Sequence, residues 1–350
     1  MPSMNDIAKI VGVSKATVSL ALAGHPRISE ETKAKVKEAA LQIGYGSAPP
    51  QAAVPGEHRK ERLTIGVLYV GANQSSTHGF FRDTLTGICN EGSMRQAHVV
   101  MIGMKNTGDE AEAEEVYDKV MESGASGIIV ISSTAKLYGL SGLAARGFPM
   151  VFVGSRRLAD SDRPLNSVSS DNFEGGVIAT EHMVRLGHRK LAVVTGAQPL
   201  PWQTDRLNGF FSALRAAGIY AGEEAIIRIA NPANPADEGW AALDDLGATA
   251  VFTTNSMLGH MALRHIWITD RRVPEDVSLI AFDDTAFFPL ENPPVTVVKQ
   301  DMEALGTLSV KMLTDLIDNP DQPPRQILIP TCLIERSSCT SAVQAGAQGK

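Results

Sequence analysis

The sequence predicts a small all-α domain followed by an α/β core of two doubly wound parallel-sheet lobes. Residues 3–45 contain only short helical patterns. Residues 46–62, GSAPPQAAVPGEHRKER, have the Pro-, Gly- and Ala-rich composition of a linker and end in charges. From residue 63 onward, apolar β-rich runs alternate with amphipathic helical segments. That alternation is typical of parallel sheets covered by helices on both faces.

Capping residues mark three helices in the first domain. Ser3 and Asp6 have the spacing of a capping box ahead of IAKIV, and Gly12 ends that pattern. Ser14 is placed to cap a second helix, KATVSLALA, and Ser29 to cap a third, EETKAKVKEAALQI. The domain is therefore expected to contain three short helices.

The core contains eight strand-like runs: LTIGVLYV, HVVMIGM, GIIVIS, MVFVG, KLAVVTG, AIIRIA, TAVFTTN and VSLIAFDD. About 280 residues are too many for one sheet of this kind, so two lobes are expected. Ligand pockets in such sheets form at the carboxyl ends of the strands.

The charge is distributed unevenly. The whole chain carries a net charge of −7, with 43% hydrophobic and 20% charged residues, which is a globular composition. Residues 1–62 have nine Lys and Arg against six Asp and Glu, a net charge of +3, which leaves −10 for the remainder. A basic head on an acidic body is expected when only the head meets an anionic partner.

Several classes of protein are excluded by what the sequence lacks. It has no apolar run long enough to span a membrane and no basic, then apolar, N-terminal signal, so a cytoplasmic location is expected. Cys89, Cys332 and Cys339 have neither disulfide nor metal-ligand spacing. There is no phosphate-binding loop, no G-x-S-x-G and no histidine cluster. We therefore expect no enzyme activity, no catalytic residue, no metal and no cofactor.

The stretch VGVSKATVSLALAG has the features of a helix-turn-helix. Apolar residues supply the packing faces, Gly12 and Val13 the turn, and Val18 and Leu22 the opposing face. The residues expected to point away are small or cationic: Ser14, Lys15, Ala16, Thr17 and Ser19. Small side chains let a helix approach DNA closely, and hydroxyls bind phosphate. A generic three-helix cap is the alternative interpretation of the same pattern.

Ordered motifs along nearly the whole chain resemble the LacI/GalR (lac repressor/galactose repressor) family. NDIAKIVGVSKATVSLALAG and ISEETKAKVKEAALQIGY resemble its headpiece. FFRDTLTGI, DNFEGGVIATEHMVRLGHRKLAVVTG, DRLNGF, VPEDVSLIAFDDT, PPVTVVKQDMEALG and LIPTCLIERSS follow in the order and spacing of its core. The resemblance implies a helix-turn-helix headpiece on a periplasmic-binding-protein-like core.

The function implied by this resemblance is a homodimeric, sequence-specific transcriptional regulator, a repressor controlled allosterically by a small molecule. Its partners would be a pseudo-palindromic double-stranded operator and an effector, a sugar or sugar derivative. The domains implied are a headpiece (1–46), a hinge (47–62), a core (63–340) and a tail (341–350). Within the core, the N-lobe would comprise about 63–170 and 298–330, and the C-lobe about 171–297 and 331–340.

The resemblance implies that three residues contact bases, namely Lys15, Ala16 and Leu20. Lys15 would donate to guanine O6 and N7, and Ala16 would meet a thymine methyl. Leu20 departs from the arginine that many members carry there. Ser14, Thr17 and Ser19 are assigned to phosphates. Val54 aligns with the leucine that members wedge into the minor groove, but Pro55 follows it, which places hinge-helix wedging in question.

Three aromatic residues are candidates for the effector site. Phe80 and Phe81 follow the first strand and match an effector-stacking position in the family. For Phe81 the alternative is simple core packing. Trp202 presents a ring face that suits a sugar ring or a base, or covers the edge of the cleft.

The polar candidates lie at strand ends of the C-lobe. Arg206, in DRLNGF, matches an arginine that holds the ligand's hydroxyls or carboxylate, and Asp283, in LIAFDD, matches a carboxylate that accepts from the ligand. A structural ion pair between these two is the alternative. Asn255 keeps the family asparagine, whereas Ser256 replaces the common aspartate.

Two other protein classes remain as alternatives. A periplasmic sugar receptor shares the fold but has no headpiece. A ligand sensor with weak or lost operator binding is compatible with Leu20 and Val54. The closing segment SAVQAGAQGK lacks a leucine heptad, so a dimer and no higher assembly is expected.

Overall fold

The structure is a computed structural model that divides into two units, residues 1–61 and residues 62–350. It describes residues 4–22, 28–42, 63–70, 78–104, 111–132, 140–154, 165–197, 200–234 and 236–342. The hinge prediction for 47–62, with Val54, and most of the predicted tail lie outside these residues. Each unit is described by itself.

The described residues of the first unit form three helices, α1 (Met4–Val11), α2 (Lys15–Leu22) and α3 (Glu30–Gln42). They pack around one small core, formed by Ile7, Val18, Ala21, Val36, Ala39 and Ala40. Gly12 turns the chain between α1 and α2 with a φ of +76°, a conformation that glycine adopts without strain. The backbone N–H of Thr17 donates to Ser14 Oγ at 3.1 Å, and that of Thr32 to Ser29 Oγ at 3.3 Å. The caps predicted at Ser14 and Ser29 are confirmed, and the one predicted at Ser3 lies outside the described residues.

In the part of the second unit that the structure describes, the strands form two six-stranded sheets. The sheet of the N-lobe has the order β11-β5-β4-β3-β1-β2. Its elements are β1 (Thr64–Val70), α4 (His78–Met94), β2 (His98–Met104), α5 (Ala111–Glu122), β3 (Gly127–Ser132), α6 (Leu140–Ala145), β4 (Met150–Val153), β5 (Ser167–Ser170), α11 (Met302–Asp318) and β11 (Gln326–Ile329).

The sheet of the C-lobe has the order β12-β10-β9-β8-β6-β7. Its elements are α7 (Asn172–Arg185), β6 (Leu191–Gly196), α8 (Pro201–Ala216), β7 (Ile226–Ile229), α9 (Glu238–Leu246), β8 (Ala250–Thr253), α10 (Ser256–Ile268), β9 (Ser278–Phe282), β10 (Thr296–Lys299) and β12 (Cys332–Ile334). In each lobe, apolar side chains from both faces of the sheet pack under the helices.

All eight predicted apolar runs form strands, and the prediction of two doubly wound lobes is confirmed. Four further strands, β5, β10, β11 and β12, were not predicted. β5 is SVSS, whose residues are buried although three of the four are serines. β12 pairs antiparallel with β10, whereas the other described strand pairs are parallel. Short strands whose partners are remote in sequence carry little local signal, because pairing and not periodicity places them.

The chain passes between the lobes three times, after β5, after β10 and after β11. Two of these crossovers lead directly into a helix of the other lobe and end in a capping aspartate. Asp171 Oδ1 accepts from the N–H of Glu174 at 2.9 Å, and Asp301 Oδ1 accepts from that of Ala304 at 2.9 Å. The N–H of Asp171 donates to the carbonyl of Ile329 at 2.8 Å, so the first and third crossovers are hydrogen-bonded to each other.

Glycines allow α7 and α8 to cross closely in the C-lobe. A Cβ at Gly176 would overlap the carbonyl oxygen of Arg206, and one at Gly209 would overlap that of Phe173. The backbones of the two helices are therefore packed side by side around Gly176 and Arg206. This crossing sets the backbone positions of the polar residues described next.

Candidate DNA-binding and effector sites

The first candidate site is the start of α2 in the helix-turn-helix. Ser14 Oγ lies 2.9 Å from Thr17 Oγ1 and also accepts the N–H of Thr17, so Ser14 is the N-cap of the helix. Lys15 is exposed in the first turn, where the free N–H groups give the helix its positive end. Val18 and Ala21 are fully buried against the other two helices. The start of α2 thus presents hydroxyls and a cation together.

The remaining predicted DNA contacts fall outside the description. Ala16, Ser19 and Leu20 belong to α2, but their side chains are not among the described residues. Val54 lies outside them entirely. The base and phosphate assignments at these positions stay predictions.

The second candidate site centres on Arg206, in the second turn of α8. Its side chain is 3% exposed. Nε donates to Asn172 Oδ1 at 2.8 Å, and Nη1 donates to the carbonyl oxygen of Thr254 at 2.5 Å. The guanidinium carbon lies 4.5 Å from the centroid of the Trp202 ring and 3.3 Å from that of Phe282. Neutral acceptors and aromatic faces therefore surround a buried cation.

Burial lowers the pKa of Arg206 to about 10, while the charges of Asp283 and Asp205 act in the opposite direction. Among the described residues, no carboxylate oxygen lies within 4 Å of its guanidinium nitrogens. Arg206 and Asp283 therefore do not form the direct ion pair that was the alternative interpretation. Nη2 has no hydrogen-bond acceptor among those residues. A buried cation with an unused donor is a suitable anchor for a polar ligand.

Asp283 follows β9 directly and has a φ of +74°. Burial raises the pKa of its carboxyl group, and the charge of Arg206 partly offsets this effect. Asp283 Oδ1 accepts a short hydrogen bond from Nε2 of Gln300, which lies on the second crossover. A non-glycine residue at positive φ is strained, and such strain is concentrated at ligand sites.

Asn255 has a structural task that the sequence did not reveal. Its Oδ1 accepts the backbone N–H of Leu258 at 2.8 Å and so caps α10. The amide nitrogen Nδ2 is then the part of the side chain left for a ligand. Trp202 is half-buried and lies against the guanidinium of Arg206. The structure thus brings Trp202, Arg206 and Asp283 together at one end of the C-lobe sheet.

Phe80 and Phe81 lie at the start of α4 in the N-lobe. Both are half-buried and pack against its hydrophobic core. The Phe81 ring packs against the Tyr69 ring with centroids 4.2 Å apart and planes tilted by 36°. Core packing therefore accounts for much of the Phe81 side chain, as the alternative interpretation held, and the effector role of either ring remains a prediction.

Sequence reasoning did not single out the residues that hold Arg206 in place. Asn172 and Thr254 accept from its guanidinium, and Thr254 Oγ1 in turn lies 3.4 Å from Gln203 Nε2 and 3.3 Å from Thr195 Oγ1. Each of them lies at a strand end or in the first turn of a helix. That shared position was the signal in the sequence that could have identified them, because the carboxyl ends of parallel strands meet at one edge of a sheet.

Comparisons with known proteins agree with both parts of this architecture. Residues 3–47 match the model for bacterial regulatory proteins of the lacI family, and residues 180–339 match a periplasmic binding protein-like domain. A helix-turn-helix followed by such a core defines a class of ligand-sensing bacterial regulators. The chain thus combines the helix-turn-helix of the lacI family of bacterial regulatory proteins with a periplasmic binding protein-like core.

Two relatives cover almost the whole chain. The probable HTH-type transcriptional repressor ExuR of Bacillus subtilis (strain 168) is 29% identical, over 97% of this chain and 98% of its own length. The HTH-type transcriptional regulator CelR of Thermobifida fusca is 28% identical, over 96% of this chain and 98% of its own length. These relatives are named as regulators of transcription and not as enzymes.

Two solved structures add ligands to the comparison. A transcriptional regulator CelR–cellobiose complex has a TM-score of 0.71 at 27% identity and covers 97% of this chain and 100% of its own. A LacI-family regulator from Enterococcus faecium with bound ribose has a TM-score of 0.66 at 25% identity and covers 79% and 99%. Among the described residues, no helix of this chain combines the length and apolarity needed to span a membrane.

Proposed function

We propose that this protein is a sequence-specific repressor whose operator affinity is controlled by a small molecule bound beside Arg206. The observation that carries this proposal is the environment of the Arg206 guanidinium. It is buried at the carboxyl ends of parallel strands, where ligands bind in folds of this type. Neutral oxygen atoms accept from its Nε and Nη1, and its Nη2 has no acceptor among the described residues.

The proposed effector is a sugar or sugar derivative. Arg206 Nη2 would donate to a ligand hydroxyl or carboxylate, and Asp283 would accept from a hydroxyl. The Trp202 ring offers an apolar face for the sugar ring. Phe80 and Phe81 would contribute from the N-lobe, and Asn255 would donate through Nδ2. Cellobiose in one structural relative and ribose in another support this ligand class.

The proposed DNA contacts are those of the headpiece. Lys15 would read guanine, Ala16 a thymine methyl, and Leu20 an adjoining base edge. Ser14, Thr17 and Ser19 would bind phosphates, and Val54 would approach the minor groove. We assign the headpiece to residues 1–46, the hinge to 47–62, the core to 63–340 and the tail to 341–350.

The protein would act in the cytoplasm as a homodimer, since two-fold symmetry lets two headpieces meet a pseudo-palindromic operator. It would carry out no enzymatic reaction. Because binding at the two sites is thermodynamically linked, the effector and the operator would change each other's affinity by the same factor.

Selection from a pool of random duplexes at near-physiological salt tests the proposal. We expect one palindrome to be recovered, and Lys15→Ala to relax one defined base pair of it, at a cost of about 1–3 kcal/mol. Lys35→Ala is the control, because the Lys35 ammonium is exposed and paired with Glu31 on α3. Retention without sequence preference, lost as salt rises, would contradict operator recognition.

A further inference from the structure

Asn172 joins the candidate effector site to the segment that connects the lobes. It is the first residue of α7 and is 5% exposed. Its Oδ1 accepts from Arg206 Nε at 2.8 Å, and its Nδ2 donates to the carbonyl oxygen of Ser170 at 3.1 Å. Ser170 is the last residue of β5, in the sheet of the N-lobe. One amide group therefore bonds to a residue of each lobe.

The hydrogen bonds continue beyond Ser170 to a second crossover. Asp171, between Ser170 and Asn172, donates its N–H to the carbonyl oxygen of Ile329, at the end of β11. A continuous series of bonds thus runs from Arg206 through Asn172 to the first crossover, and from there to the third. Contiguous hydrogen-bond networks of this kind can carry energetic coupling between two sites.

The α7–α8 crossing keeps this series short. Because Gly176 lies directly against the carbonyl oxygen of Arg206, the backbones that carry Asn172 and Arg206 are packed side by side. The side chain of Asn172 then bridges a fixed gap. A movement of the guanidinium toward a ligand must stretch or redirect its hydrogen bond with Asn172. Such a change would also alter the hydrogen bond from Asn172 Nδ2 to the carbonyl oxygen of Ser170.

We propose that Asn172 is a positioning residue that aims Arg206 at the effector and transmits the engagement of Arg206 to the crossovers. The proposal rests on the proposed function of Arg206. The side chain must accept from a cation on one side and donate to a carbonyl on the other. A carboxylate accepts equally well but has no proton to donate at neutral pH, and an alanine does neither.

Asn172→Asp therefore separates the two halves of the role. It keeps the acceptor for Arg206 and removes the donor to Ser170. Folding is not endangered, since an acidic residue in the first turn of α7 favours the helix. Asn172→Ala removes both bonds. Asn234→Asp is the matched control, because Asn234 is exposed in a loop and its Oδ1 accepts from the N–H of Ala236, which a carboxylate does as well.

The first measurement is hydrogen–deuterium exchange of the full chain without ligand. We expect the Asp171 amide to exchange about fivefold faster in Asn172→Asp, as for the loss of one buried hydrogen bond. Arg206→Met should accelerate the same amide, because it releases Asn172 from the other end. Asn234→Asp should leave it unchanged. Unaltered exchange of Asp171 in both Asn172→Asp and Arg206→Met would overturn the proposed connection.

The second measurement uses cellobiose and D-ribose as probes, with tryptophan fluorescence for probe affinity and operator binding for the response. For a probe that the wild type binds, we expect Asn172→Asp to keep the dissociation constant within about threefold while the effect of the probe on operator affinity disappears. Asn172→Ala should weaken probe binding about tenfold as well. A purely structural role would not separate affinity from response in this way.

The outcomes distinguish this inference from the proposed function. Asn172→Asp with a wild-type operator response, or Asn172→Ala with wild-type probe affinity, contradicts the role of Asn172. If neither probe binds the wild type while Asp171 exchange still depends on Arg206, these two sugars are ruled out as effectors. The proposed connection between Arg206 and the crossovers is then still supported.

Discussion

The two lobes of the core share a close helix crossing but carry different side chains at it. In the C-lobe, Gly176 and Gly209 each lie against the carbonyl oxygen three residues before the other glycine. In the N-lobe, Gly87 on α4 and Gly306 on α11 do the same. The residue three before Gly209 is Arg206, and the residue three before Gly87 is Thr84.

Arg206 and Thr84 thus occupy corresponding places in the two helix crossings. Arg206 is buried but long enough to reach the strand ends, where it bonds to Asn172 and Thr254. Thr84 is fully buried, and its hydroxyl has no hydrogen-bond partner among the described residues. The same helix crossing therefore carries the proposed ligand anchor in one lobe and a packing residue in the other. The chemistry of the site depends on the side chain placed at the crossing and not on the crossing itself.

The largest expected effect comes from filling the crossings. Gly176→Ala and Gly306→Ala each introduce a methyl into a backbone contact, and each should cost about 1–3 kcal/mol or more of unfolding free energy. In addition, Gly176→Ala should abolish the sugar response, whereas Gly306→Ala should keep it in the molecules that fold. Denaturant unfolding and probe titration measure the two effects. An equal loss of sugar response in both variants would remove the distinction between the lobes.

The next effect concerns the corresponding residues themselves. Arg206→Met keeps an unbranched side chain of similar length but removes the charge-assisted donors, so sugar affinity should fall about 10- to 100-fold. Thr84→Val removes an unpaired buried hydroxyl and should raise the unfolding free energy by about 1 kcal/mol without changing sugar affinity. Calorimetry and probe titration check both. Destabilisation by Thr84→Val would mean that its hydroxyl has a bonding role.

A smaller, pH-dependent effect is expected at Asp283. Because burial raises the pKa of this carboxyl above its ordinary value of 3.8, the ionised form is disfavoured in the folded protein. The cost is absent below the ordinary value, grows as the pH rises toward the raised value, and is complete above it. Asp283→Asn should therefore be more stable than the wild type at pH 7, with a difference that shrinks toward pH 4. Thermal unfolding across this range measures it, and a less stable variant at pH 7 would contradict it.

The smallest expected effect concerns the buried histidines of the C-lobe. His188 is buried in the C-lobe, where its ring bonds to the hydroxyl of Thr249 at 3.0 Å and the carbonyl of Thr340 at 3.0 Å. Burial lowers its pKa below the ordinary 6.5, and the same holds for His182 and His260 of this lobe.

These three histidines stabilise the C-lobe while neutral, and that stability is lost as the pH falls from 6.5 through their lowered pKa values. We expect amide exchange to accelerate in the C-lobe before the N-lobe on acidification. His188→Gln should reduce that dependence. Simultaneous acceleration in both lobes, unchanged in the variant, would argue against it.

Much of the architecture could be predicted because capping residues and continuous apolar runs are local patterns of the sequence. Ser14 and Ser29 were recognised as caps from their place before an apolar periodic segment, and both form those bonds. β3 and β9 were recognised as continuous apolar runs, since strands covered on both faces exclude polar residues. β5 was missed because its serines resemble a loop, although the neighbouring strands bury them.

The site was predicted only in part. The family resemblance pointed to Arg206 and Asp283, but it did not indicate that Asn172 and Thr254 hold the guanidinium, or that Gln300 bonds to Asp283 from a crossover. Asn255 was assigned to the effector, and the cap that it forms on α10 was not foreseen. A side chain's partner depends on which strand ends meet, and that is a property of the sheet order.

By itself, the sequence determined the three short helices with the caps at Ser14 and Ser29, the apolar strands, the basic first domain and the family that its motifs resemble. These features depend on neighbours within a few turns or on ordered motifs, both of which can be read along the chain. Tertiary structure alone decided that Arg206 would be buried against neutral acceptors, that Thr84 would take the corresponding place in the N-lobe, and that Asn172 would contact both lobes. The reason is that parallel strands join residues far apart in sequence, so burial and hydrogen-bond partners are set only once the sheets have formed.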